Sequence, residues 1–144
     1  MARARIRRID KNLPLPEYKT LGAVAFDLAA RESSTIFPGS VAYVPLNVAI
    51  EPPDGYMVLL AARSSLHKKG LMLVNGVGIV DRDFCGNDDE YHAALYNFSS
   101  DPASIERGER LVQGMFKPYE RAQWEEVDDL SNPTRGGFGT TNFS

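Results

Sequence analysis

The chain has 144 residues, a length that suits a single domain with a sizeable core. Its 16 basic and 19 acidic side chains leave a net charge of −3, which argues against a broad nucleic-acid-binding surface. The single cysteine, Cys85, cannot form an internal disulfide, and no apolar run approaches the roughly 20 residues of a membrane span. We therefore expect a soluble cytoplasmic protein with neither a nucleic-acid nor a membrane partner.

The N-terminal segment ARARIRR places arginines at alternate positions. Arg3, Arg5 and Arg7 would share one face of an extended strand. Such a face suits either contact with nucleic acid or the solvent side of an edge strand, where charges discourage aggregation. We favour the edge strand.

One acidic side chain, Asp27, lies among the small apolar residues of LGAVAFDLAA (21–30). A carboxylate there must be exposed, paired or close to a cation. His67, His92 and Cys85 form no spaced cluster, so we do not expect metal ligation by histidine or cysteine. A hard ion such as Mg²⁺, held mainly by phosphates with help from one carboxylate, fits better.

Between residues 41 and 116, short apolar runs bounded by Gly, Pro, Asn and Asp recur, and long helical periods are absent. The first run, VAYVPLNVAI (41–50), predicts one extended strand with alternate residues on a single apolar face, namely Ala42, Val44, Leu46, Val48 and Ile50. Further strands are predicted in the ranges 55–62, 71–74, 78–80, 91–98 and 110–116. This spacing is typical of an all-β protein, and we predict a jelly-roll-like barrel or sandwich.

The segment AARSSLHKKG (61–70) predicts one short helix after an apolar strand. Ser64 or Ser65 can cap its start, and Gly70 can end it. The unpaired N–H groups of a helix start attract anions, and Arg63 adds a fork of donors that matches phosphate oxygens. A plain capped helix with a surface arginine is the alternative.

The segment LMLVNGVGIVDRDFCG (71–86) combines a turn signal with two carboxylates. Asn75–Gly76 predicts a hairpin between apolar strands. If the returning strand continues far enough, Asp81 and Asp83 project from one of its faces. A carboxylate at the end of an apolar strand can serve as a general base, although aspartate is also an ordinary turn residue.

The last strand and the tail each carry an unusual residue. In GERLVQGMF (108–116), an extended strand would place Gln113 on the same face as Leu111 and Met115. A buried amide needs partners, either within the protein or on a ligand. The acidic run EEVDD (125–129) predicts a linker, and the glycine-rich tail after it carries Phe138, an aromatic ring that favours burial.

The order of these pieces is more informative than any one of them. Asp27 in AFDL is followed by ARSSLHKKG, NGVGIVDRDFCG, GERLVQGMF and RGGFGTT. This series resembles the five motifs of the homotrimeric dUTPase family and spans residues 21–141. The resemblance implies hydrolysis of dUTP to dUMP and pyrophosphate with Mg²⁺, in a homotrimer with shared active sites.

The resemblance also implies a role for each motif. Asp81 would activate the water that attacks the α-phosphorus, and Asp27 would hold the water shell of Mg²⁺. The ring of Phe84 would stack on the deoxyribose and exclude a 2′-hydroxyl. The uracil edge would be read around Asn75 and Gly76, and the phosphates would be held by Arg63, Ser64, Ser65 and Gln113.

The resemblance divides the chain into a β-barrel domain, 1–130, and a C-terminal arm, 131–144. The arm would close over the site of a neighbouring subunit and become ordered when nucleotide binds. Phe138 would stack on uracil, while backbone N–H groups approach the phosphates without Cβ obstruction at Gly136, Gly137 and Gly139. Further phosphate contacts would come from Arg135, Thr140 and Thr141.

The sequence departs from the usual family pattern at several positions. Phe84 stands where most members have Tyr, and Ala25 stands where Gly is usual. The stretch from 86 to 97 is about three residues longer than in common members. Arg135 directly precedes the glycines, whereas the usual arginine position holds Pro133. A bacterial and phage-like subgroup has the same shortened arm and lengthened stretch.

Two alternatives to dUTP hydrolysis remain open at this point. The related dCTP deaminases share the fold and an RSS motif, but their catalytic Glu position is Ala94 here, while Glu90 lies in the lengthened stretch. Ammonia release from dCTP would identify that activity. The second alternative is a regulatory or binding protein on the same scaffold, which a pull-down with Asp81→Asn would separate from turnover.

Overall fold

The structure, a computed structural model, describes residues 2–139 and contains eleven strands and one short 3-10 helix within them. The strands are β1 (Arg5–Arg8), β2 (Phe26–Ala29), β3 (Ser34–Ile36), β4 (Val41–Pro45), β5 (Val48–Glu51), β6 (Tyr56–Ala62), β7 (Leu71–Leu73), β8 (Gly78–Val80), β9 (His92–Asn97), β10 (Ala103–Ile105) and β11 (Arg110–Pro118). The helix covers Leu66–Lys69. No helix in this part of the chain is long and apolar enough to cross a bilayer.

All strand pairs are antiparallel and form two larger sheets and two small ones. The larger sheets have the orders β2-β11-β6-β8 and β4-β9-β7, and the pairs are β1-β5 and β10-β3. One core joins both larger sheets: Phe26, Leu60 and Val112 from the first pack in the same cluster as Val44 and Leu95 from the second. The predicted jelly-roll-like all-β fold is thereby confirmed.

The predicted single strand at 41–50 is wrong, because the chain breaks at Asn47. This residue has a φ of 72°, and its side chain bonds the backbone N–H and C=O of Asp10. Asparagine tolerates this left-handed conformation better than most residues. The break lets β4 pair with β9 while β5 pairs with β1, so the chain changes sheets and still buries Val44, Leu46, Val48 and Ile50.

The predicted hairpin at Asn75–Gly76 is also corrected. The turn is present, with Gly76 at a φ of 74°, but β7 pairs with β9 whereas β8 pairs with β6. The two strands therefore diverge into different sheets. β8 ends at Val80, so Asp81 and Asp83 do not share a strand face, and the Phe84 N–H closes a turn onto the Asp81 carbonyl.

A register irregularity between Arg110 and Val112 changes the faces of β11. Leu111 and Val112 are both buried, and Val112 and Gly114 then lie on the core side. Gln113 is only half-buried on the opposite face, which corrects the prediction that it lies among core residues. This placement makes Gln113 available to a ligand.

The remaining local predictions are largely confirmed. Arg5 and Arg7 lie in β1 and are exposed, as predicted for the solvent side of an edge strand, whereas Arg3 precedes the strand. The helix ends at Gly70 in a left-handed conformation, as expected, but it is a 3-10 helix and the Ser65 side chain forms no cap hydrogen bond. Residues 120–130 are exposed and form no strand, in agreement with a linker.

Candidate active site

The first part of the site is an ion-paired group at the C-terminal end of β6. Antiparallel pairing of β2 and β11 sets Asp27 opposite Gln113, and β6 delivers Arg63 beside them. Arg63 Nε lies 3.1 Å from Asp27 Oδ1, and its Nη1 donates to the Arg110 carbonyl oxygen at 3.1 Å. Arg110 Nη1 also lies 3.6 Å from Asp27 Oδ2. The sheet therefore brings together Asp27, Arg63 and Arg110, which lie in three separate motifs of the sequence.

A cationic depression of about 480 Å³ adjoins this group. Its charged lining includes Arg63, Arg110, Lys68, Lys69 and Glu109. Lys69 Nζ is already held by Glu109 at 2.6 Å, and the two arginines share the single charge of Asp27, which leaves Lys68 and one arginine charge as the positive excess. The depression therefore suits an anion.

Three polar side chains suited to phosphate lie close to Arg63 in the sequence or the sheet, and one of them, Ser65, lines the depression. Ser64 and Ser65 are exposed at the start of the 3-10 helix, and Ser65 makes no cap bond there. Gln113 Nε2 donates to the Ala62 carbonyl oxygen at 3.0 Å and carries a second hydrogen. These groups can donate hydrogen bonds to phosphate oxygens.

The second part of the site lies around the end of β8. Asp81 is exposed and lines two depressions, of about 600 and 310 Å³. Phe84 and Tyr91 line the smaller one together, and Arg121 lines the larger one. Asn75 and Gly76 are exposed in the turn before β8. An exposed carboxylate in such a depression can accept a proton from water.

Tyr91 is a residue of this region that the sequence did not single out. It is 2% exposed, and its ring lies 6.2 Å from that of Phe84 at an interplanar angle of 31°. Its hydroxyl has no hydrogen-bond partner in the described part of the chain. Burial, with a smaller effect from Cys85, raises the pKa of this hydroxyl well above its ordinary value. The signal available in the sequence was an aromatic residue at the start of YHAALYNF, a segment with the alternation typical of a strand.

Glu90 is tied into the structure beside Tyr91. Its two oxygens accept from Arg31 Nε at 2.7 Å and Nη2 at 3.0 Å, and one also accepts from the backbone N–H of Asn47. The side-chain hydrogen bond from Arg31 is the main reason that the pKa of the guanidinium is raised. A carboxylate bound in this way is poorly placed for the catalytic role considered for deamination.

The two parts of the site lie at opposite ends of β6 in one chain. Val80, next to Asp81, pairs with Val58, whereas Arg63 follows the other end of the strand. Five residues of extended chain separate Val58 from Arg63, or about 17 Å at roughly 3.3 Å per residue. One chain therefore does not place Asp81 beside the cationic depression.

The described part of the C-terminal segment, residues 131–139, does not line these three depressions. Arg135 and Phe138 are exposed, and four successive residues, 136–139, have positive φ values. Gly136 and Gly139 adopt this backbone without strain, whereas Phe138 at a φ of 50° is unusual. Thr140 and Thr141 lie outside the described residues.

No group of three or more His, Cys, Asp or Glu side chains suited to a metal occurs within residues 2–139. Asp27 is the carboxylate beside the phosphate-suited donors, and it is mostly buried. Because both of its oxygens lie near guanidinium groups, it fits contact with Mg²⁺ through water better than direct ligation.

Sequence comparison identifies similar proteins over almost the whole chain. A family model described as dUTPase matches residues 11–142. The deoxyuridine 5′-triphosphate nucleotidohydrolase of Dictyoglomus turgidum is 38% identical over 150 residues, which cover 99% of this chain and 100% of that protein. The Thermobifida fusca protein of the same name is 40% identical over 143 residues, covering 96% and 78%.

Solved structures give the same result. The crystal structure of dUTPase from Streptococcus mutans matches with a TM-score of 0.76 at 33% identity, covering 83% of this chain and 98% of that chain. The Staphylococcus bacteriophage 80alpha dUTPase with dUPNHPP matches with a TM-score of 0.84, covering 96% and 98%. Its 20% identity makes this second match evidence for the fold alone.

Proposed function

This chain belongs to the dUTPase family and hydrolyses dUTP, and we propose that Asp81 activates the attacking water at a site completed by neighbouring chains. The observation that carries the proposal is the position of Asp81. It is exposed at a strand end, lines two depressions, and shares one of them with the Phe84 ring. The products are dUMP and pyrophosphate, so that uracil is kept out of DNA and dUMP becomes available for dTMP synthesis.

The reaction needs a base and a means of neutralising phosphate charge. Asp81 accepts a proton from the water as its oxygen attacks the α-phosphorus, and the bond from that phosphorus to the bridging oxygen of the pyrophosphate breaks. Arg63, Ser64, Ser65 and Gln113 donate hydrogen bonds to phosphate oxygens. Positioning and charge neutralisation provide most of the rate enhancement in phosphoryl transfer, and the cationic depression supports both.

Mg²⁺ is the expected cofactor, and one solved dUTPase, from phage phi11 of Staphylococcus aureus, is described as coordinating a structural Mg(II) ion. When bound, the ion neutralises charge on the triphosphate. Asp27 would hold the ion through its water shell, beside the residues that would bind the phosphates. Asp27 also orients Arg63, since their side chains lie 3.1 Å apart.

The nucleoside is recognised by the turn before β8 and by the turn after it. Exposed backbone groups around Asn75 and Gly76 form hydrogen bonds with the uracil edge, which rejects cytosine by mismatch. The Phe84 ring lies against the deoxyribose and leaves no room for a 2′-hydroxyl. Because the ring is retained where the family usually has Tyr, we expect sugar discrimination to persist.

The arm, 131–144, completes the site of another subunit in a homotrimer. Phe138 stacks on uracil, and Arg135, Gly136, Gly137, Gly139 and Thr140 contact the phosphates. The exposure of Phe138 and the separation of Asp81 from Arg63 both support shared sites, because neither part alone surrounds a nucleotide. The cytoplasm, where nucleotides are made and thiols such as Cys85 stay reduced, is the proposed location.

Pyrophosphate release tests the proposal. With Mg²⁺, we expect release from dUTP and little from UTP, dTTP or dCTP. Asp81→Asn should lower the rate by about 10²–10⁴-fold, the usual contribution of a general base. Asp83→Asn is the matched control, since it removes an exposed carboxylate from the same turn, and it should change the rate by less than about threefold.

Other outcomes would support the alternatives. If Asp81→Asn and Asp83→Asn change the rate of pyrophosphate release equally, Asp81 is not the base. Ammonia release from dCTP would indicate a deaminase. The regulatory function would be indicated if the wild type and Asp81→Asn capture a partner protein equally well and the wild type does not hydrolyse dUTP.

A further inference from the structure

Phe84 needs support from outside its own segment. Its ring is 40% exposed, and it lies between β8 and β9 in a stretch without strand pairing. The one backbone hydrogen bond that the structure gives it closes the turn onto Asp81. A ring that excludes a single hydroxyl group must be held to within a fraction of an ångström, and this turn gives few restraints.

Tyr91 is the immobile member of the aromatic pair with Phe84. Its backbone N–H donates to the Val48 carbonyl oxygen, and its carbonyl oxygen accepts from the Leu46 N–H, both at 2.8 Å. The preceding residue, Glu90, is fixed by two hydrogen bonds from Arg31. Burial to 2% exposure leaves the Tyr91 ring little freedom to change rotamer.

The ring of Tyr91, rather than its hydroxyl, makes the contact. The two ring centroids lie 6.2 Å apart in a tilted arrangement, within the range of attractive aromatic pairs. The hydroxyl forms no hydrogen bond within the described residues. Both rings line the 310 Å³ depression that Asp81 also lines, so a shift of either ring changes the space beside the proposed base.

We propose that Tyr91 is a positioning residue that holds the Phe84 ring against the sugar and thereby sets the discrimination between dUTP and UTP. The inference rests on the proposed function of Phe84 as the sugar contact. It also gives a role to the lengthened stretch after Gly86, which delivers Tyr91 to this place.

The test compares the ratio of kcat/KM for dUTP to that for UTP in a set of variants. Tyr91→Phe keeps the ring and should retain the ratio within about twofold. Tyr91→Val removes the ring and should lower the ratio by about tenfold, which is a usual size for discrimination that depends on one substrate group in a pocket. Because both rings line the depression that Asp81 lines, kcat for dUTP is measured for every variant, and only a change in the ratio supports the inference. Tyr91→Leu fills more of the volume and provides the same test if Tyr91→Val does not fold.

Phe84→Leu separates this inference from the proposed function. Phe84→Leu alone should lower the ratio of kcat/KM for dUTP to that for UTP. Adding Tyr91→Val to Phe84→Leu should have little further effect, since Tyr91 acts through Phe84. If Phe84→Leu lowers the ratio and Tyr91→Val does not, the inference fails alone. If Phe84→Leu leaves the ratio unchanged, the sugar role of Phe84 and the inference fail together. A loss in Tyr91→Phe equal to that in Tyr91→Val would overturn the role of the ring.

Discussion

At the scale of single residues, Asp27 shows how a carboxylate can be retained in an apolar strand. Arg63 and Arg110 lie on either side of it, so its charge is compensated without a metal. The same contacts orient Arg63 at the edge of the cationic depression. If, as proposed, a triphosphate binds there, it would compete with Asp27 for this guanidinium, so that substrate binding would rearrange the ion pair.

The hydroxyl of Tyr91 gives a prediction about stability and pH. The native state holds its proton more tightly than the unfolded chain, because burial raises the pKa of the hydroxyl. The unfolded chain therefore loses the proton first as the pH rises above about 10, and the free energy of unfolding falls by up to about 1.4 kcal/mol per pH unit. Below that pH this contribution is constant.

Tyr91→Phe removes both the titrating group and the unpartnered hydroxyl. At neutral pH the variant should be as stable as the wild type or about 1 kcal/mol more stable. Between about pH 9 and pH 11, the wild type should lose more stability than the variant. Denaturant unfolding at equal protein concentration measures both effects, and parallel pH profiles would contradict the prediction.

At the scale of elements, sequence patterns predicted the strands better than their partners. The apolar run at 55–62 became β6 within one residue, and GIV became β8. The three-residue strands β3 and β10 were missed, because segments this short carry little periodicity. The break at Asn47 and the divergence of β7 from β8 depend on which sheet each strand joins, and local sequence does not contain that information.

The candidate site was predicted from the order of the motifs rather than from geometry. Arg63, Asp27 and Gln113 were expected to act on one substrate, and the register of β2, β11 and β6 places them together. The contact between Phe84 and Tyr91 was not predicted, because it links a turn after β8 to the residue that precedes β9, a strand of the other larger sheet. Such contacts depend on the packing of the whole core.

The C-terminal arm gives a prediction at this scale. Residues 131–139 form no strand and are almost entirely exposed, so deletion of 131–144 should leave the melting temperature within about 2 °C of the wild type. The rate on dUTP should fall by about 10²-fold, because the arm orients the nucleotide and excludes water.

Phe138→Leu in the full-length chain is the control for the arm. It retains the backbone and removes only the stacking ring, so its loss of rate should be smaller than that of the deletion. The melting temperature and pyrophosphate release are measured on the same preparations. Full activity in the deleted chain would show that the arm takes no part in the reaction.

At the scale of the whole molecule, the main feature is the distance between the proposed base and the proposed phosphate-binding residues. Asp81 follows Val80, whose partner Val58 lies near the start of β6, whereas Arg63 follows the end of β6, and the extended chain from Val58 to Arg63 spans about 17 Å. Three chains around an axis can bring the β8 end of one subunit to the β2-β11 edge of the next. Each complete site would then need intact residues from different chains.

Mixing two inactive variants measures this directly. Asp81→Asn and Arg63→Ala, each without useful activity alone, are refolded together at equal concentrations and assayed for pyrophosphate release from dUTP. Random mixing pairs an intact Asp81 chain with an intact Arg63 chain in about a quarter of sites, so about a quarter of the wild-type rate should return. Activity no greater than the sum of the separate variants would contradict the shared site and place both residues in one chain.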